Sequence, residues 1–395
     1  MTSSLVWGRF SPVQISYDRI VVNSALLVAA FVAVLLLSSQ SASSIVSYLL
    51  CLAMLLFFKD WRDVLHCPMV WPVLAVLLYL PLTSFWSEVF SWRDFFSQCV
   101  RSLLTFCFVI AFAECQLRGV LQRWLFTALA VVGGAVALLC IVLFYIDPPN
   151  DGRMNGLGQL NTEVVAGLVF GFATLTVLHT AHTVSARPVW LSALLLAPLV
   201  AAVWLTGSRN AVLSLILGSG VLLLAHHQPT PQRFVWSVLG VFSVVALGVT
   251  FAWLQPEIRE LVFPRGDSYR LIIWEQTWLR IQDSPWFGVG VLSSDDVVMG
   301  DLRFNHPHSL YLSVALHGGM FGLVLCGWLL LRVLREFQIA YHHQDVKFGL
   351  GVLGLALPAY TLDGHELLDK IGDTWFLIWL PVAIATGMRW HASYR

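Results

Sequence analysis

Long apolar runs recur along almost the whole sequence, and they constrain its fold more than any other feature. Each run has about 16 to 23 residues, close to the roughly 20 that an α-helix needs to cross the hydrocarbon of a bilayer. A backbone exposed to lipid must satisfy its own hydrogen bonds, which an α-helix does within one segment. The sequence therefore predicts an all-α polytopic membrane protein.

We predict twelve transmembrane spans, and the composition agrees with this number. Only 12% of the residues are charged and 58% are hydrophobic, whereas a soluble domain carries roughly a quarter charged residues. The first run begins after Arg19 and others follow directly, so it is interpreted as a span and not as a cleaved signal. The predicted spans are residues 20–38, 42–58, 69–86, 95–114, 124–146, 161–180, 188–206, 210–225, 234–254, 309–331, 348–362 and 374–388.

Basic residues are distributed unevenly between the two sides of the predicted bundle. With the N-terminus inside, the short outer loops carry only Arg93, Arg153, Arg209 and Lys370. The positive-inside rule then predicts that both termini are cytoplasmic. The cytoplasmic segments contain thirteen of the 23 basic residues, namely Arg9, Arg19, Lys59, Arg62, Arg118, Arg123, Arg187, Arg233, Arg332, Arg335, Lys347, Arg389 and Arg395.

Residues 255–308 form an outer segment that is too polar to span the membrane and too long for a simple connection between two neighbouring spans. Within it, residues 269–282 have helical composition, and their aromatic and apolar side chains suit the membrane surface. We therefore expect three regions. Residues 1–254 contain spans one to nine, residues 255–308 form a periplasmic helical subdomain, and residues 309–395 contain the last three spans.

Two arginines at the outer boundary are candidates for binding an anion. Arg209 follows Gly207 and Ser208 at a helix end near the membrane boundary. Placing a cation there costs free energy unless it is paired, is solvated, or extends its side chain to the aqueous interface. Arg270 opens the helical stretch of the large loop, with Trp274 on the same face. Both arginines are also compatible with a role as interfacial anchors. The more specific hypothesis is that their guanidinium groups bind a phosphate. The N–H donors of a guanidinium group form a planar fork that matches the phosphate oxygens.

Two histidines flank Pro307 just before the tenth predicted span. Pro307 restricts His306 to an extended conformation, so the helix is expected to begin near His308 or Ser309. The positive end of the helix dipole favours a neutral imidazole at His308, which is the form that a general base requires. A capping role for either histidine remains open. A metal site is disfavoured because no cysteine or carboxylate lies beside the pair in the sequence.

The last outer loop, residues 363–373, is rich in acidic side chains. Asp363, Glu366, Asp369 and Asp373 surround His365 and Lys370. A solvated surface is the simplest interpretation. The alternative is an acceptor groove, because carboxylates commonly hydrogen-bond sugar hydroxyls.

Taken together, residues from about 150 to 385 resemble the superfamily of O-antigen ligases and O-antigen polymerases, which are bacterial membrane glycosyltransferases. The resemblance rests on the order and spacing of several short motifs. These are RMNGLGQLN at 153–161, TGSR at 206–209, Arg270 followed by SPWFGVG at 284–290, HPHSLYL at 306–312, and Gly318, Gly319 and Gly322. The sequence departs from the family at Ser309, where members often carry Asn, and a serine can make only part of the amide's hydrogen bonds.

The resemblance implies a fold similar to the C-type membrane glycosyltransferases, in the bacterial inner membrane, with the active site facing the periplasm. The donor would be a polysaccharide linked to undecaprenyl diphosphate, and the acceptor would be lipid A–core oligosaccharide. Membrane lipids would surround the protein. The resemblance implies no nucleic acid partner, no cofactor and no metal ion. His308 would be the catalytic base, and Arg209 and Arg270 would bind the diphosphate. Possible donor or acceptor contacts are Arg153, Trp274, Asn305, His306, Ser309, Tyr311 and Asp369.

Two other functions remain open at this level. A repeat-unit polymerase uses the same donor, and we favour a ligase because GLGQLN before the sixth span looks more like ligase members. A transporter or flippase would be expected to carry buried charges within its spans. Only Arg101 clearly lies inside a predicted span, so transport is disfavoured.

Overall fold

The computed structural model describes residues 17–37, 40–58, 61–120, 124–183, 189–258, 269–299, 302–364 and 366–393. Several sites of interest lie outside these ranges: Arg9, Lys59, Arg123, Arg187, His365, Arg395 and parts of the large loop. The helices are α1 (Tyr17–Leu36), α2 (Gln40–Phe57), α3 (Trp61–His66), α4 (Val70–Leu82), α5 (Trp92–Leu117), α6 (Phe126–Ile146), α7 (Glu163–Thr183), α8 (Val189–Leu205), α9 (Arg209–His227), α10 (Pro231–Leu254), α11 (Arg270–Asp283), α12 (Leu310–Ile339), α13 (Gln344–Leu362) and α14 (Leu380–Ser393).

Each of the twelve predicted spans coincides with a helix in the described ranges. Seven helices are long and apolar enough to cross a membrane, and five further apolar helices are shorter. A 3₁₀ turn (Thr83–Trp86) extends α4, and a π-helical turn (Trp375–Trp379) precedes α14. The only strands in the described part are β1 (Val297–Met299) and β2 (Leu302–Phe304), which form a small antiparallel hairpin. The prediction of an all-α polytopic membrane protein is confirmed.

Two helices continue beyond the predicted span boundaries at residues 114 and 331. Helix α5 ends at Leu117 and α12 at Ile339, so Glu114 and Glu336 belong to helices and not to loops. Both carboxylates are almost completely buried and both have partners. The Asn23 amide donates to Glu114 over 2.9 Å, and Arg332 lies 3.2 Å from Glu336. Pairing lowers the free-energy cost of burying these two charges. Hydropathy alone does not predict such pairs, so the predicted spans ended too early.

The core of the bundle is aromatic and lies where α1, α5 and α7 meet the turn before α14. The ring centroid of Phe376 lies 5.0 Å from that of Phe31 and 5.7 Å from those of Phe108 and Phe172. All four rings are fully buried. Around this centre, α7 packs against α6, α8, α9 and α13, and α9 packs along α13.

The large loop docks on the middle of α12, where the helix is broken. Gly319 has φ 62° and ψ −164°, a conformation open essentially only to glycine. Four backbone hydrogen bonds join the loop to this break. Val289 and Gly290 donate to the carbonyls of residues 316 and 317, while residues 320 and 321 donate to those of 285 and 286. The SPWFGVG motif thus pairs with the backbone on either side of Gly318 and Gly319.

Glycine is required at this contact because the two backbones almost touch. A Cβ on Gly319 would lie 2.4 Å from the Trp286 carbonyl carbon, and one on Gly288 would lie 2.5 Å from that of His317. Tyr79 of α4 also donates to the Gly318 carbonyl over 2.6 Å. The contact therefore holds together α4, the large loop and α12 at its break.

Replacing Gly319 with alanine should destabilise the protein. The strained backbone alone costs on the order of 1–3 kcal/mol, and the added methyl group collides with backbone that cannot move cheaply. We expect the apparent unfolding temperature in detergent to fall by roughly 5 °C, measured by intrinsic tryptophan fluorescence. Gly327→Ala in the same helix is the control, because its Cβ would meet nothing within 4 Å. An equal shift in both variants would contradict the proposed contact.

Candidate active site

A polar cavity of about 460 Å³ lies where α7 begins and α13 ends. Its walls come from segments far apart in the sequence. The polar side chains that line it are Gln159, Asn161, Thr162 and Glu163 near the start of α7, Arg270 of α11, His306 and His308 before α12, and Tyr360, Asp363, Glu366, Asp369, Asp373 and Thr374 in and after α13. Motifs that are scattered along the chain thus meet at one place.

A hydrogen bond between His308 and Asp363 is the central contact of this cavity. His308 Nδ1 lies 3.2 Å from Asp363 Oδ1. Asp363 immediately follows α13, and its side chain is 17% exposed. An ionised carboxylate only accepts hydrogen bonds, so the Nδ1 of His308 must carry the proton. The Nε2 atom of a neutral His308 then holds the lone pair that a general base needs.

The charge on Asp363 supports this assignment. Burial opposes ionisation of the carboxyl, but hydrogen bonds from His308 and the Gly364 backbone, together with the nearby His306, outweigh it. The net result is a pKa of Asp363 below its ordinary value. Asp363 therefore stays ionised at neutral pH and can orient the imidazole, as the third group does in hydrolytic triads.

His306 supports the backbone of His308. The backbone N–H of His308 donates to His306 Nδ1 over 3.2 Å, so this nitrogen of His306 carries no proton. His308 has φ 50°, in the left-handed region that non-glycine residues rarely adopt. Such strain persists only where surrounding contacts hold it, and it clusters at active sites. The helix begins after this turn, at Leu310, with Ser309 as its N-cap residue.

Arg270 brings a positive charge to the same cavity. It is the first residue of α11, and its Nε donates to the Leu362 carbonyl over 2.8 Å. This bond places the guanidinium beside the end of α13, one residue before Asp363. It occupies one of the five donors of the arginine, which has further N–H groups to offer to an anion.

The other two predicted arginines lie around the cavity and do not line its described walls. Arg153 pairs with Glu163 over 3.2 Å and donates to the Thr206 carbonyl over 3.0 Å. It therefore packs over the TGSR motif, where Gly207 leaves room for its side chain. Arg209 is exposed at the start of α9. This end of α9 is tied to the site because the Asn210 amide donates to the Ala359 carbonyl over 3.0 Å.

The remaining predicted contacts are spread over the rim and the neighbouring helices. Trp274 is half-buried one turn after Arg270, and Asn305 is exposed. Ser309 is buried, and its side chain makes no capping hydrogen bond. Tyr311 donates to the Leu357 carbonyl over 2.9 Å and faces an apolar groove.

The acidic loop lines the cavity and is held by a cation from within the bundle. Arg101 of α5 pairs with Glu366 over 2.7 Å and with Asp369 at 3.8 Å, and it also donates to the Leu368 carbonyl. The interpretation of this loop as merely solvated surface is therefore wrong, because its carboxylates are paired or partly buried. The single charge that the sequence placed inside a span serves to hold this loop.

A second carboxyl group in the loop is in a different state from Asp363. The hydroxyl group of Tyr360 donates to Asp373 over 2.6 Å. Burial, together with the negative charge of Asp369, raises the pKa of Asp373 above its ordinary value, against the opposing effect of that hydrogen bond. The cavity thus contains one carboxyl group that favours ionisation and another that resists it, as in sites that combine acid and base roles.

His306, His308 and Asp363 could also hold a metal ion, since their ligand atoms lie within 4.8 Å of one another. The hydrogen bonds argue for acid–base chemistry instead. His306 Nδ1 accepts from the His308 backbone, and His308 Nδ1 donates to Asp363. A metal ion bound through the two Nδ1 atoms would have to displace both bonds.

Sequence reasoning named Asp363 and Arg101 but missed their partners in this arrangement. Asp363 is separated from His308 by 55 positions, and Arg101 from Glu366 by 265. The available signal for Asp363 was its place at the end of a span, followed by Gly364, which has φ 92°. No local pattern marked Arg101 as a partner of the loop.

Comparison with known proteins finds similarity to one family over part of the chain. Residues 191–327 match the family model described as O-antigen ligase. Over 305 residues the chain is 28% identical to an O-antigen ligase of Pseudomonas aeruginosa. The aligned region covers 74% of this chain and 71% of that protein. The resemblance that the sequence motifs predicted is confirmed by both matches.

Replacing Arg101 with methionine should loosen the loop at residues 363–373. Hydrogen bonds to charged groups contribute about 1.5–3 kcal/mol each, so amide hydrogen exchange in the loop should accelerate by roughly tenfold or more. Mass spectrometry of deuterated peptides measures this effect. Arg93→Met is the control, because Arg93 is exposed on the first turn of the same helix. Unchanged exchange in the Arg101 variant would show that the ion pairs do not hold the loop.

Proposed function

Since the chain is related to the O-antigen ligases, we propose that it transfers a polysaccharide from undecaprenyl diphosphate to a sugar hydroxyl of lipid A–core oligosaccharide. The hydrogen bond between His308 and Asp363, beside Arg270 in one cavity, is the observation that carries this proposal. It combines an oriented base with a positive charge, which are the two groups that this transfer needs.

In the proposed step, Nε2 of His308 takes the proton of the acceptor hydroxyl group. The hydroxyl oxygen forms a bond to the anomeric carbon of the donor, and the bond from that carbon to the diphosphate oxygen breaks. The electron pair leaves with undecaprenyl diphosphate. Direct displacement inverts the anomeric centre. Asp363 stabilises the imidazolium that forms, because the carboxylate already accepts the Nδ1 proton.

Arg270 and Arg209 are proposed to stabilise the leaving diphosphate. Arg270 lines the cavity directly. Arg209 starts α9, where the positive end of the helix dipole also favours an anion. In this proposal both arginines act on the leaving diphosphate, so the reaction needs no metal ion.

An apolar groove beside the cavity suits the polyprenyl chain of such a donor. The groove has a volume of about 560 Å³ and runs between α9, α10, α12 and α13. Its walls include Phe234, Val238, Leu353 and Leu357, and Tyr311 lines it three residues after His308. A lipid chain in this groove would bring its diphosphate end to the level of the cavity.

A ligase is favoured over the alternatives by specific observations. Both matches carry the description of a ligase, which favours this activity over repeat-unit polymerisation. Arg101 pairs with the loop that lines the cavity, which suits a structural role better than a transport pathway. The asymmetry of basic residues supports an inner-membrane protein with cytoplasmic termini and a periplasmic active site.

The assignment of the base predicts that His308→Ala reduces the transfer rate by about 10²–10⁴-fold, the usual contribution of general-base catalysis. His306→Ala is the matched comparison and should lower the rate by less than about tenfold, since it removes one neutral hydrogen bond. The measurement is the initial rate at saturating donor with purified protein, together with donor affinity.

Donor affinity should be nearly unchanged in His308→Ala, because the arginines remain. A His308→Ala enzyme within a few-fold of wild type would refute the assignment. So would a defect confined to donor binding. Either result would make His306 or a carboxylate of the 363–373 loop the next candidate.

The two arginines give a separate prediction. Arg209→Ala and Arg270→Ala should each reduce transfer by at least about 10²-fold, while the protein still inserts in the membrane. Lysine at either position should restore only part of the activity, because a point charge does not replace a fork of donors.

Arg280→Ala is the control for Arg270, because Arg280 lies on the same helix but hydrogen-bonds the Asp296 carbonyl and does not line the described cavity. Surface polysaccharide and membrane insertion are scored together in cells that lack the native enzyme. Normal polysaccharide in either arginine-to-alanine variant would remove that residue from the proposed site.

A further inference from the structure

A second cavity lies beside the candidate active site and shares one wall residue, Glu366, with it. The second cavity has a volume of about 170 Å³, and its walls come from α4, the large loop, the first half of α12 and the 363–373 loop. The polar side chains that line it are Ser293, Asp295, Ser313, His317 and Glu366. The proposed transfer step gives no part to the first four of these side chains, so their common position requires its own explanation.

Hydrogen bonds within the protein hold three of these polar groups in place before any ligand arrives. His317 is buried, and its Nδ1 lies 2.9 Å from the Gly290 carbonyl, to which it must donate. The Ser293 hydroxyl donates to a backbone carbonyl over 2.6 Å and accepts from a backbone N–H over 3.0 Å. Arg101 lies 2.7 Å from Glu366. Polar groups that are fixed in this way lose little freedom when they bind a ligand.

The charges of the wall indicate which class of ligand fits. Asp295 and Glu366 bring two carboxyl groups, and no lysine or arginine is among the described lining residues. This wall disfavours phosphate groups and acidic sugars, whereas Arg270 offers them a positive charge in the active-site cavity. Carboxylate, hydroxyl and imidazole groups can all hydrogen-bond sugar hydroxyls. Leu80 and Val314 add apolar surface for the C–H groups of a sugar ring. The wall therefore suits an uncharged sugar.

The volume of the second cavity limits the ligand further. Pockets that take a whole drug-sized ligand have roughly 300–1,000 Å³, so about 170 Å³ suits one sugar ring and not an oligosaccharide. We propose that the second cavity binds an uncharged sugar of the acceptor, next to the sugar whose hydroxyl group reacts. This inference rests on the proposed function, because it names the place where that reaction holds its acceptor.

The position of the second cavity suits the acceptor and not the lipid of the donor. Tyr311 and Ser313 lie two residues apart on α12, so their side chains point about 200° apart around the helix. Tyr311 lines the apolar groove proposed for the polyprenyl chain, whereas Ser313 lines the second cavity. The two substrates would then approach from different sides of α12. Such an arrangement suits an inverting displacement, because the acceptor oxygen attacks the anomeric carbon opposite the leaving diphosphate.

Binding of the acceptor in the absence of donor tests this inference. The probe is deacylated lipid A–core oligosaccharide from host cells that lack this protein, because without acyl chains it does not partition into a bilayer. Surface plasmon resonance measures its binding to the full-length protein in lipid nanodiscs. Asp295→Ala should weaken acceptor binding by about tenfold or more, because it removes a charged hydrogen-bond acceptor. Asp295→Asn should lose less affinity, because an amide oxygen still accepts. Affinity for the lipid-linked donor should be unchanged in both variants.

Two further variants separate this effect from misfolding and from a general effect of charge. Asp283→Ala removes an exposed carboxylate of the large loop that does not line the described cavity, and it should bind the acceptor normally. Ser313→Leu fills part of the second cavity from α12 and should weaken acceptor binding as well. Asp295 is only partly buried, so its replacement carries little risk to folding. Thermal unfolding in detergent checks each variant.

Loss of acceptor binding in Asp295→Ala, with normal binding in Asp283→Ala, supports the inference. Unchanged acceptor affinity in both Asp295→Ala and Ser313→Leu would overturn it, because the second cavity would then hold only water. A loss confined to donor affinity, or no acceptor binding by the wild type, would overturn it too. Acceptor binding that depends on Asp295, in a wild-type protein that transfers no polysaccharide, would contradict the proposed function and not this inference.

Discussion

The backbone contact between Gly288 and Gly319 is the constraint on which the rest of the site depends. It breaks α12 in the middle, and four main-chain hydrogen bonds hold the large loop against the break. The first half of α12 begins just after His308. The direction of this helix segment therefore determines the position of the His308 imidazole. A side chain at either glycine would separate the two backbones and so displace the proposed base, His308, from outside the cavity.

Three buried or partly buried charges within the helices are paired in a similar way. Glu114 is paired with Asn23, Glu336 with Arg332, and Arg101 with the carboxylates of the 363–373 loop. Each pair lets a polar group lie within an apolar helix at a reduced cost. The pair formed by Arg101 also has a consequence for the site, because it holds the loop that follows Asp363. Structural pairing and the proposed chemistry are therefore linked through one short segment.

The two ends of the bundle use histidine in contrasting ways. At the cavity, His308 has a carboxylate that selects its tautomer and leaves one nitrogen as a base. At the opposite end, His179 has no hydrogen-bond partner for either nitrogen within the described residues. An oriented imidazole such as that of His308 suits proton transfer. The surroundings of each ring therefore decide whether it can act as a base.

The sequence by itself determined the all-α class, the twelve apolar spans and the identity of His308 and Arg270 as candidates. Apolar run length and short motifs are local properties, and a bilayer permits few structures for such runs. Only the tertiary structure decided that Asp363 orients His308, that Arg101 holds the acidic loop and that Gly319 breaks α12. These pairs join residues far apart in the chain, and their distances depend on how helices pack, which no local pattern of residues encodes.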